Sequence, residues 1–220
     1  MKYVFYFLFF VASLNINAQR VRAFSGVGAY LDNDFANSTF LEAKLGVEFK
    51  ITSFLKPEIE VNYLVGGLED VIIRDNQGNV SNLYVRTVSS LNYTLSPKIC
   101  IGDSDNQAGS GHFLILPRYS VSRIEARGNY TTINQANLSK SIEEREIITE
   151  WQHSLGIGVG IDFGISRNYD ALSLILYYNG IDMGNALNSL KHSGGKFSTN
   201  NVIGFGINYY FSFKKRPEKK

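Results

Sequence analysis

Apolar and polar residues alternate with period two along most of the chain beyond residue 18. Residues 41–50 (LEAKLGVEFK) place every apolar side chain on one face and every charged side chain, with Gly46, on the other. This alternation is typical of β-strands whose two faces meet different surroundings. It predicts eight strands, at about 20–32, 41–50, 57–65, 82–101, 112–125, 150–163, 170–181 and 203–213.

The links between these strands differ in length in a regular way. Links one, three, five and seven tend to be long and polar, links two and six are tight turns, and link four is intermediate. They lie at about 33–38, 51–55, 66–81, 102–111, 126–146, 165–169 and 182–199. An even strand count, with long loops at one end and short turns at the other, is typical of a bacterial outer-membrane barrel. We therefore predict an all-β fold, an eight-stranded antiparallel up-and-down transmembrane β-barrel with both termini on the periplasmic side.

The first eighteen residues have the three-part layout of a secretory signal peptide. Lys2 gives a positive start, residues 4–14 (VFYFLFFVASL) are apolar, and Ala18 suits the position before a cleavage site. A membrane-anchor helix needs about 20 apolar residues, and this run is much shorter. We predict a signal peptide at 1–18, a barrel at 19–213 and export to the cell outer membrane.

Composition narrows the class of protein further. Apolar residues make up 44% of the chain and charged residues 19%, which excludes a disordered chain and a coiled coil. The single cysteine, Cys100, excludes an internal disulfide framework. We expect its side chain to be a small buried residue that fills space in the interior. A net charge of +2 does not favour nucleic acid as a partner, and its positive sign comes entirely from a basic tail at 214–220. In that tail Lys214, Lys215 and Arg216 could contact anionic head groups, peptidoglycan or an envelope protein, or the tail could be disordered.

The alternation by itself fits two opposite orientations of the strands. In a soluble barrel the apolar face points inward, whereas in a membrane barrel it points outward. Many charged, small and polar residues share the polar face, which favours the membrane barrel with a narrow polar interior. The charged residues predicted to form an interior network are Glu42, Lys44, Glu48, Glu58, Glu60, Arg86, Arg118, Glu150 and Asp162.

Unpaired charges in a narrow interior are costly, so these groups should form pairs. We expect Lys44 to pair with Glu58 and Glu60, and Arg86 or Arg118 to pair with neighbouring acids. Eight strands leave an interior that side chains largely fill, which favours a plug over a polar conduit for small solutes.

Aromatic residues near the strand ends predict two girdles at the membrane interfaces. The outer girdle contains Tyr63, Tyr84, Trp151 and Tyr178. The periplasmic girdle contains Phe49, Phe113, Phe163, Tyr209, Phe211 and Phe213.

The chain resembles the small outer-membrane β-barrel domain family of Bacteroidetes, the PorT-like group, over most of 19–213. The resemblance lies in the signal ending at residues 17–19, in the glycine-rich first strand at 24–29 (FSGVGA) and in the segment 91–98 (LNYTLSPK). It lies also in 155–160 (LGIGVG) and in a closing strand rich in glycine and aromatics. The resemblance implies a Gram-negative outer-membrane protein in contact with lipid and lipopolysaccharide, whose last strand is recognised by the barrel-insertion machinery through Phe213.

The remaining reactive or metal-binding residue types do not indicate a catalytic residue, a cofactor or a metal. The glycines at 156, 158, 160 and 164, and at 26 and 28, lie inside strand patterns, so they predict close packing and not a phosphate loop. His153 and Ser154 point to opposite faces of a strand and cannot pair directly. The other two histidines are His112 and His192, and His192 lies in a predicted loop with Ser193, Gly194 and Gly195. The acidic cluster Glu143, Glu144, Glu146 and Glu150 could hold divalent cations or form a solvated rim.

We expect a non-enzymatic barrel with a structural or binding role and a filled interior. The alternatives are a narrow channel for small solutes and a lipid-modifying hydrolase at the membrane interface.

Overall fold

The structure is a computed structural model that describes residues 21–32, 39–68, 70–102, 109–136, 140–165, 170–192, 196–199 and 202–213. The predicted signal peptide at 1–18 and the basic tail at 214–220 lie outside the described residues. The elements are β1 (Val21–Leu31), β2 (Thr39–Phe49), β3 (Leu55–Gly67), β4 (Val71–Arg74), β5 (Val80–Ile101), β6 (Gly111–Thr132), β7 (Ile142–Gly164), β8 (Ala171–Asn179), α1 (Gly184–Asn188) and β9 (Val202–Ser212).

Eight strands close into a ring, as the alternation predicts. All pairings are antiparallel, and the ring runs in chain order through β1, β2, β3, β5, β6, β7, β8 and β9. The ring closes where Arg22 of β1 lies opposite Ser212 of β9. It continues past β4 because Leu55 of β3 pairs with Ile99 of β5. The fold is thus an all-β antiparallel barrel in which each ring strand has two hydrogen-bonded neighbours.

The two ends of the barrel differ, and we name them by their connections. The terminal end holds the start of β1, the end of β9 and the links after β2, β5 and β7. The loop end holds the links after β1, β3, β6 and β8. Both ends of the described chain therefore lie at the same end of the barrel.

A short ninth strand lies outside the ring and corrects the prediction that residues 66–81 form a loop. β4 pairs with the start of β5 at the loop end, where β3 has already ended. Its four residues are exposed. The turn back to β5 is closed by Asp75, whose carboxylate accepts the amides of Gln77 (2.8 Å) and Asn79 (2.9 Å). The Asn79 amide, with that of Gln77, holds the pKa of Asp75 below its usual range.

The prediction of a long loop at 126–146 is also wrong. β6 continues to Thr132 and β7 begins at Ile142, so the two strands form a hairpin that extends beyond the barrel. The β6–β7 pairing continues unbroken from Gly111 opposite Phe163 to Thr132 opposite Ile142. Most side chains at the start of β7 are exposed on both faces. Because neither face there needs to be apolar, the alternation that predicts a strand is missing.

The predicted polar link at 182–199 contains the helix α1 and an apolar core. Ile181, Met183, Ala186, Leu187 and Leu190 are almost completely buried. They pack against residues on the inner wall of the barrel, among them Val88, Ile124, Ala126, Tyr177 and Val202. We call residues 180–192 with 196–199 the cap segment. Among the described residues, no helix is both long and apolar enough to cross a membrane.

The apolar face of every ring strand points outward. Leu155 of β7 is 74% exposed, Leu45 of β2 is 67% exposed and Ile203 of β9 is 62% exposed. The inward positions of the same strands carry buried polar and charged groups, such as Asp162 and Asn208, both at 0% exposure. Of the two orientations that the alternation allows, this is the one with a polar interior.

The outward face carries the predicted girdle aromatics with one exception. Tyr63, Trp151, Phe163, Phe211 and Phe213 are exposed. Tyr209 is half-buried beside Phe211, with ring centroids 4.6 Å apart. The exception is Tyr84, which is 5% exposed and points inward, because it has the inward parity of β5.

Inward-facing glycines give large rings the space they occupy. A Cβ atom at Gly204 would collide with the ring of Tyr30, and one at Gly66 would collide with the ring of Phe40. In the predicted glycine series, a Cβ at Gly160 would meet the carbonyl oxygen of Leu174 on β8. These glycines therefore serve close packing, as their place inside strands predicts.

We expect Gly204→Ala to lower the free energy of unfolding by about 1–3 kcal/mol, because the Tyr30 ring has no room to move aside. Urea unfolding of the refolded barrel in detergent micelles would measure this. Gly67→Ala is the matched control, since a Cβ at Gly67 meets nothing within 4 Å. The control should stay within about 0.5 kcal/mol of the wild type. Equal effects of the two substitutions would contradict the packing role.

Candidate functional site

The candidate site is the barrel interior, where charged side chains from most ring strands meet. Eight of the nine predicted network residues are buried there. Together with three further cations they form two clusters, and only Arg86 lies outside both clusters. The buried residues of the ring strands that carry a formal charge are Arg22, Glu42, Lys44, Glu48, Lys56, Glu58, Glu60, Arg86, Lys98, Arg118 and Asp162.

The first group, which we call the terminal cluster, is centred on Lys98 of β5. The Lys98 ammonium lies 3.0 Å from Glu48, 3.1 Å from Glu58 and 3.3 Å from Asp162. These carboxylates come from β2, β3 and β7, so one side chain joins four strands across the interior. Its ammonium also lies 4.0 Å from the ring centroid of Tyr210 on β9.

Two more strands join the terminal cluster through Arg22 and Tyr210. Arg22 of β1 makes a double hydrogen bond to Glu48, with both distances 2.9 Å. The Tyr210 hydroxyl donates to Glu58 at 2.7 Å. Lys56 is buried and interacts electrostatically with Glu48. The three cations Arg22, Lys56 and Lys98 thus balance the three carboxylates Glu48, Glu58 and Asp162.

The second group, which we call the middle cluster, contains two acids and two bases. Lys44 lies 2.9 Å from Glu42 on its own strand and donates to the Tyr177 hydroxyl at 3.0 Å. Arg118 of β6 binds Glu60 of β3 and lies 3.8 Å from Glu42. The cluster is electrically neutral. The Arg118 pairing follows the expectation for that residue.

The structure does not make the pairing predicted for Lys44. Lys44 binds Glu42, whereas Glu58 binds Lys98 and Glu60 binds Arg118. In β2 and β3, Lys44 lies opposite Asn62 while Glu58 lies opposite Glu48, which puts Glu58 nearer the terminal end. Parity along one strand identifies the face of a residue, but it does not give its height relative to a residue on another strand.

Two predicted network residues lie at the loop end, outside both clusters. Glu150 is half-buried, and its carboxylate accepts a hydrogen bond from the Ser189 hydroxyl at 3.2 Å. Its inclusion in the interior network is wrong, because β7 has left β8 by this height and faces the cap segment. Arg86 is buried, and its guanidinium carbon lies 5.1 Å and 4.9 Å from the ring centroids of Tyr84 and Phe197.

The prediction missed Arg22, Lys56 and Lys98. Lys98 lies on the same face of β5 as Ser90, Asn92, Thr94 and Ser96. The alternation of β5 could therefore have identified it as an inward residue. Arg22 lies in β1, which has apolar residues on both faces, so the sequence of this strand does not show which face points inward. Lys56 lies next to a turn, where charge is ordinary.

The cap segment covers the middle cluster and closes the loop end of the interior. Asp182 accepts the backbone amides of Gly184 (2.9 Å) and Thr199 (3.1 Å). The Asn188 side chain donates to the Phe197 carbonyl at 2.9 Å and accepts its amide at 2.8 Å. These bonds hold the apolar side chains of the segment inside the barrel mouth. The apolar side chains of the cap segment thus occupy the loop end of the interior, and the two charged clusters lie nearer the terminal end.

The acidic cluster on β7 holds the cap segment. Glu146 accepts the amide of Lys191 at 2.8 Å, and Glu144 lies 3.7 Å from His192. His192 also stacks on Tyr130, with centroids 4.2 Å apart. Within the described ranges, no group of three or more His, Cys, Asp or Glu residues is arranged to hold a metal ion.

The remaining histidines lie on opposite faces of the barrel wall. His112 is buried, 3.4 Å from Asp162. His153 points outward, and its Nδ1 lies 2.7 Å from the Tyr119 hydroxyl. Ser154 points inward and is buried, so the two neighbours do not pair, as alternation predicts.

No family model and no curated protein sequence matches the chain. Among solved structures, one similar chain is the attachment invasion locus protein Ail of Yersinia pestis, in complex with the heparin analogue sucrose octasulfate. It has 9% identity and a TM-score of 0.45, over 87% of this chain and 97% of that one. Neisserial surface protein A has 11% identity and a TM-score of 0.39, over 88% and 96%. A major outer membrane protein from Thermus thermophilus has 14% identity and a TM-score of 0.48, over 87% and 99%. The barrel assignment rests on the strand pairing of the chain itself.

We expect Lys98→Met to lower the free energy of unfolding by about 3–5 kcal/mol, because three buried carboxylates lose their shared cation. Urea unfolding in micelles would measure the loss. The exposed Lys140→Met is the control and should stay within about 0.5 kcal/mol of the wild type. Adding Asp162→Asn to Lys98→Met should recover part of the loss. An additive double variant would contradict the direct coupling.

Proposed function

We propose that the chain is an integral outer-membrane β-barrel protein with a closed interior and a structural or binding role. The observation that carries this proposal is the outward apolar face. Among the described ring-strand residues, formal charges on the outward face are confined to β6 and β7, on the loop-end side of Val121 and Trp151. A surface of this kind is poorly soluble in water and well solvated by lipid.

The dimensions of this face suit a bilayer. A membrane-spanning strand needs about 9–11 tilted residues, and the shortest ring strand has nine. A closed ring also leaves no strand edge unpaired within hydrocarbon. A soluble barrel would require the opposite orientation, with the apolar face inside.

The choice of the outer membrane rests on the barrel class together with the predicted signal peptide. Closed barrels of this kind are typical of Gram-negative outer membranes, where the loops face outward and short turns face the periplasm. Membership of the PorT-like group, contact with the insertion machinery and contact of Lys214, Lys215 and Arg216 with other envelope components belong to the same proposal.

A closed interior fits the geometry better than a channel. The terminal and middle clusters consist of neutralised ion pairs, and the cap segment fills the mouth with apolar side chains. Water and ions would have to break several buried ion pairs to pass. For a lipid hydrolase, the outward His153 has the inward Ser154 as its chain neighbour, so this pair provides no nucleophile and base. The interior thus supports the barrel, and the loop end carries any binding role.

We expect Leu155→Arg to lower the free energy of unfolding in lipid vesicles by about 2–4 kcal/mol, because the charge would lie in hydrocarbon. Ile147→Arg is the control on the same face of β7, eight residues nearer the loop end and outside the apolar band. The control should fold and insert like the wild type. Equal tolerance of both arginines would contradict a membrane position for this face.

We expect the refolded protein to carry no steady current in planar bilayers at neutral pH, because the ion pairs and the cap segment leave no continuous path. Single-molecule conductance recordings would test this. A steady current that changes in Lys98→Met or in Arg118→Met would contradict the closed interior. A current that neither substitution changes would point to leakage around the protein, and a second reconstitution would remove it.

A further inference from the structure

The outward face of the β6–β7 hairpin carries a cation at the edge of the apolar band. On β6 the outward residues from Phe113 to Val121 are uncharged, and the next outward residue is Arg123. In the β6–β7 pairing, Arg123 lies opposite Trp151 and Val121 lies opposite His153. An arginine, a tryptophan and a histidine therefore share one small area of the outward surface, at the loop-end border.

The histidine in this area is already oriented by a neighbour. The Tyr119 hydroxyl lies 2.7 Å from Nδ1 of His153, and the two rings stack with centroids 6.0 Å apart. In the tautomer whose Nδ1 accepts a hydrogen bond from the Tyr119 hydroxyl, Nε2 carries the ring hydrogen and is a donor. Both side chains are exposed on an otherwise apolar face. The stacking and the hydrogen bond thus hold the His153 ring in place next to the border where Arg123 lies, and in this tautomer the ring offers a donor there.

Arg123 differs from the other outward arginines of the hairpin. Arg127 is bound to Glu125 at 2.6 Å, and Arg145 donates to Asn129 at 3.2 Å. The side chain of Arg123 is exposed and has no hydrogen-bond or ion-pair partner among the residues that the structure describes. In a protein that spans a membrane, its guanidinium would lie at the height of the lipid head groups, where an anionic group is the natural partner.

We propose that Arg123, with His153 and Trp151 beside it, forms a binding site for a phosphate of lipopolysaccharide in the outer leaflet. This inference rests on the proposed function, which puts the loop end of the barrel outside the cell. The guanidinium can bind a phosphate through two parallel hydrogen bonds, the histidine can donate a further one, and the indole ring is favoured at the interface. The acyl chains of the same lipid would then cover the apolar band below the site.

The single tryptophan of the chain gives the test its probe, because Trp151 lies opposite Arg123. The full mature barrel in detergent micelles would be titrated with lipid A carrying both phosphates, and its Trp151 emission followed. We expect a saturable change with this lipid and none with fully dephosphorylated lipid A. Arg123→Gln should weaken the binding about tenfold or more, since a charge-assisted hydrogen bond to phosphate is lost.

Matched variants and lipids separate this site from general attraction to anions. Arg127→Gln, four residues along the same face and already paired with Glu125, should bind within about twofold of the wild type. Arg123→Lys should bind more tightly than Arg123→Gln, because it keeps the charge. Three results would overturn the proposal: binding by Arg123→Gln that equals the wild type, an equal response to phosphatidylglycerol, or an equal response to inorganic phosphate at the same concentration.

Failure of this site can be distinguished from failure of the membrane proposal. Vesicles of brominated phosphatidylcholine quench a tryptophan that lies near their acyl chains, whatever binds to Arg123. Quenching of Trp151 in wild type and in Arg123→Gln, with no response to lipid A, would overturn only the phosphate site. Absence of quenching in both proteins would overturn the membrane proposal and this site with it.

Discussion

The need to neutralise charge inside a narrow barrel governs the rest of the structure. Removing one ionised group from water costs several kcal/mol, so each buried charge requires a partner at short distance. Lys98 meets this need for Glu48, Glu58 and Asp162 at once, and Arg22 adds a double hydrogen bond to Glu48. These side chains start from different strands. Their pairing therefore sets the relative height of strands that are not neighbours in the ring.

The cap segment and the charged clusters divide the interior by polarity. Near the loop end, apolar residues such as Met183 and Leu187 pack against the inner wall and the rings of Tyr30 and Phe40. Deeper in the barrel the same wall carries the two charged clusters, together with hydroxyl and amide groups and buried apolar side chains such as Phe24 and Leu114. The apolar cap shields the middle cluster from water, and this shielding strengthens its ion pairs. The polar interior and the outward apolar band follow from one arrangement of the ring strands, in which the charged face of each strand points inward.

Much of the fold could be predicted because the alternation of apolar and polar residues recurs in most of the ring strands. The eight strands, their antiparallel order and the faces of residues such as Glu42 and Leu45 follow from period-two alternation and link lengths. The hairpin extension of β6 and β7 could not be predicted in this way, since the start of β7 exposes residues on both faces, such as Glu144 and Arg145. β4 escaped prediction for the same reason. The helix α1 in the cap segment was not predicted, because five residues are too few to show a helical periodicity.

The sequence by itself determined that the strands have one apolar and one charged face, and which residues share each face. Only the tertiary structure decided which face is inside, because turning every strand over leaves the alternation unchanged. It also decided the partners within the interior, where Lys44 meets Glu42 and Lys98 meets Glu58. Parity carries no information on the height of one strand relative to another. That height depends on strand tilt, on the stagger of the closed ring and on where opposite charges come within reach across the interior.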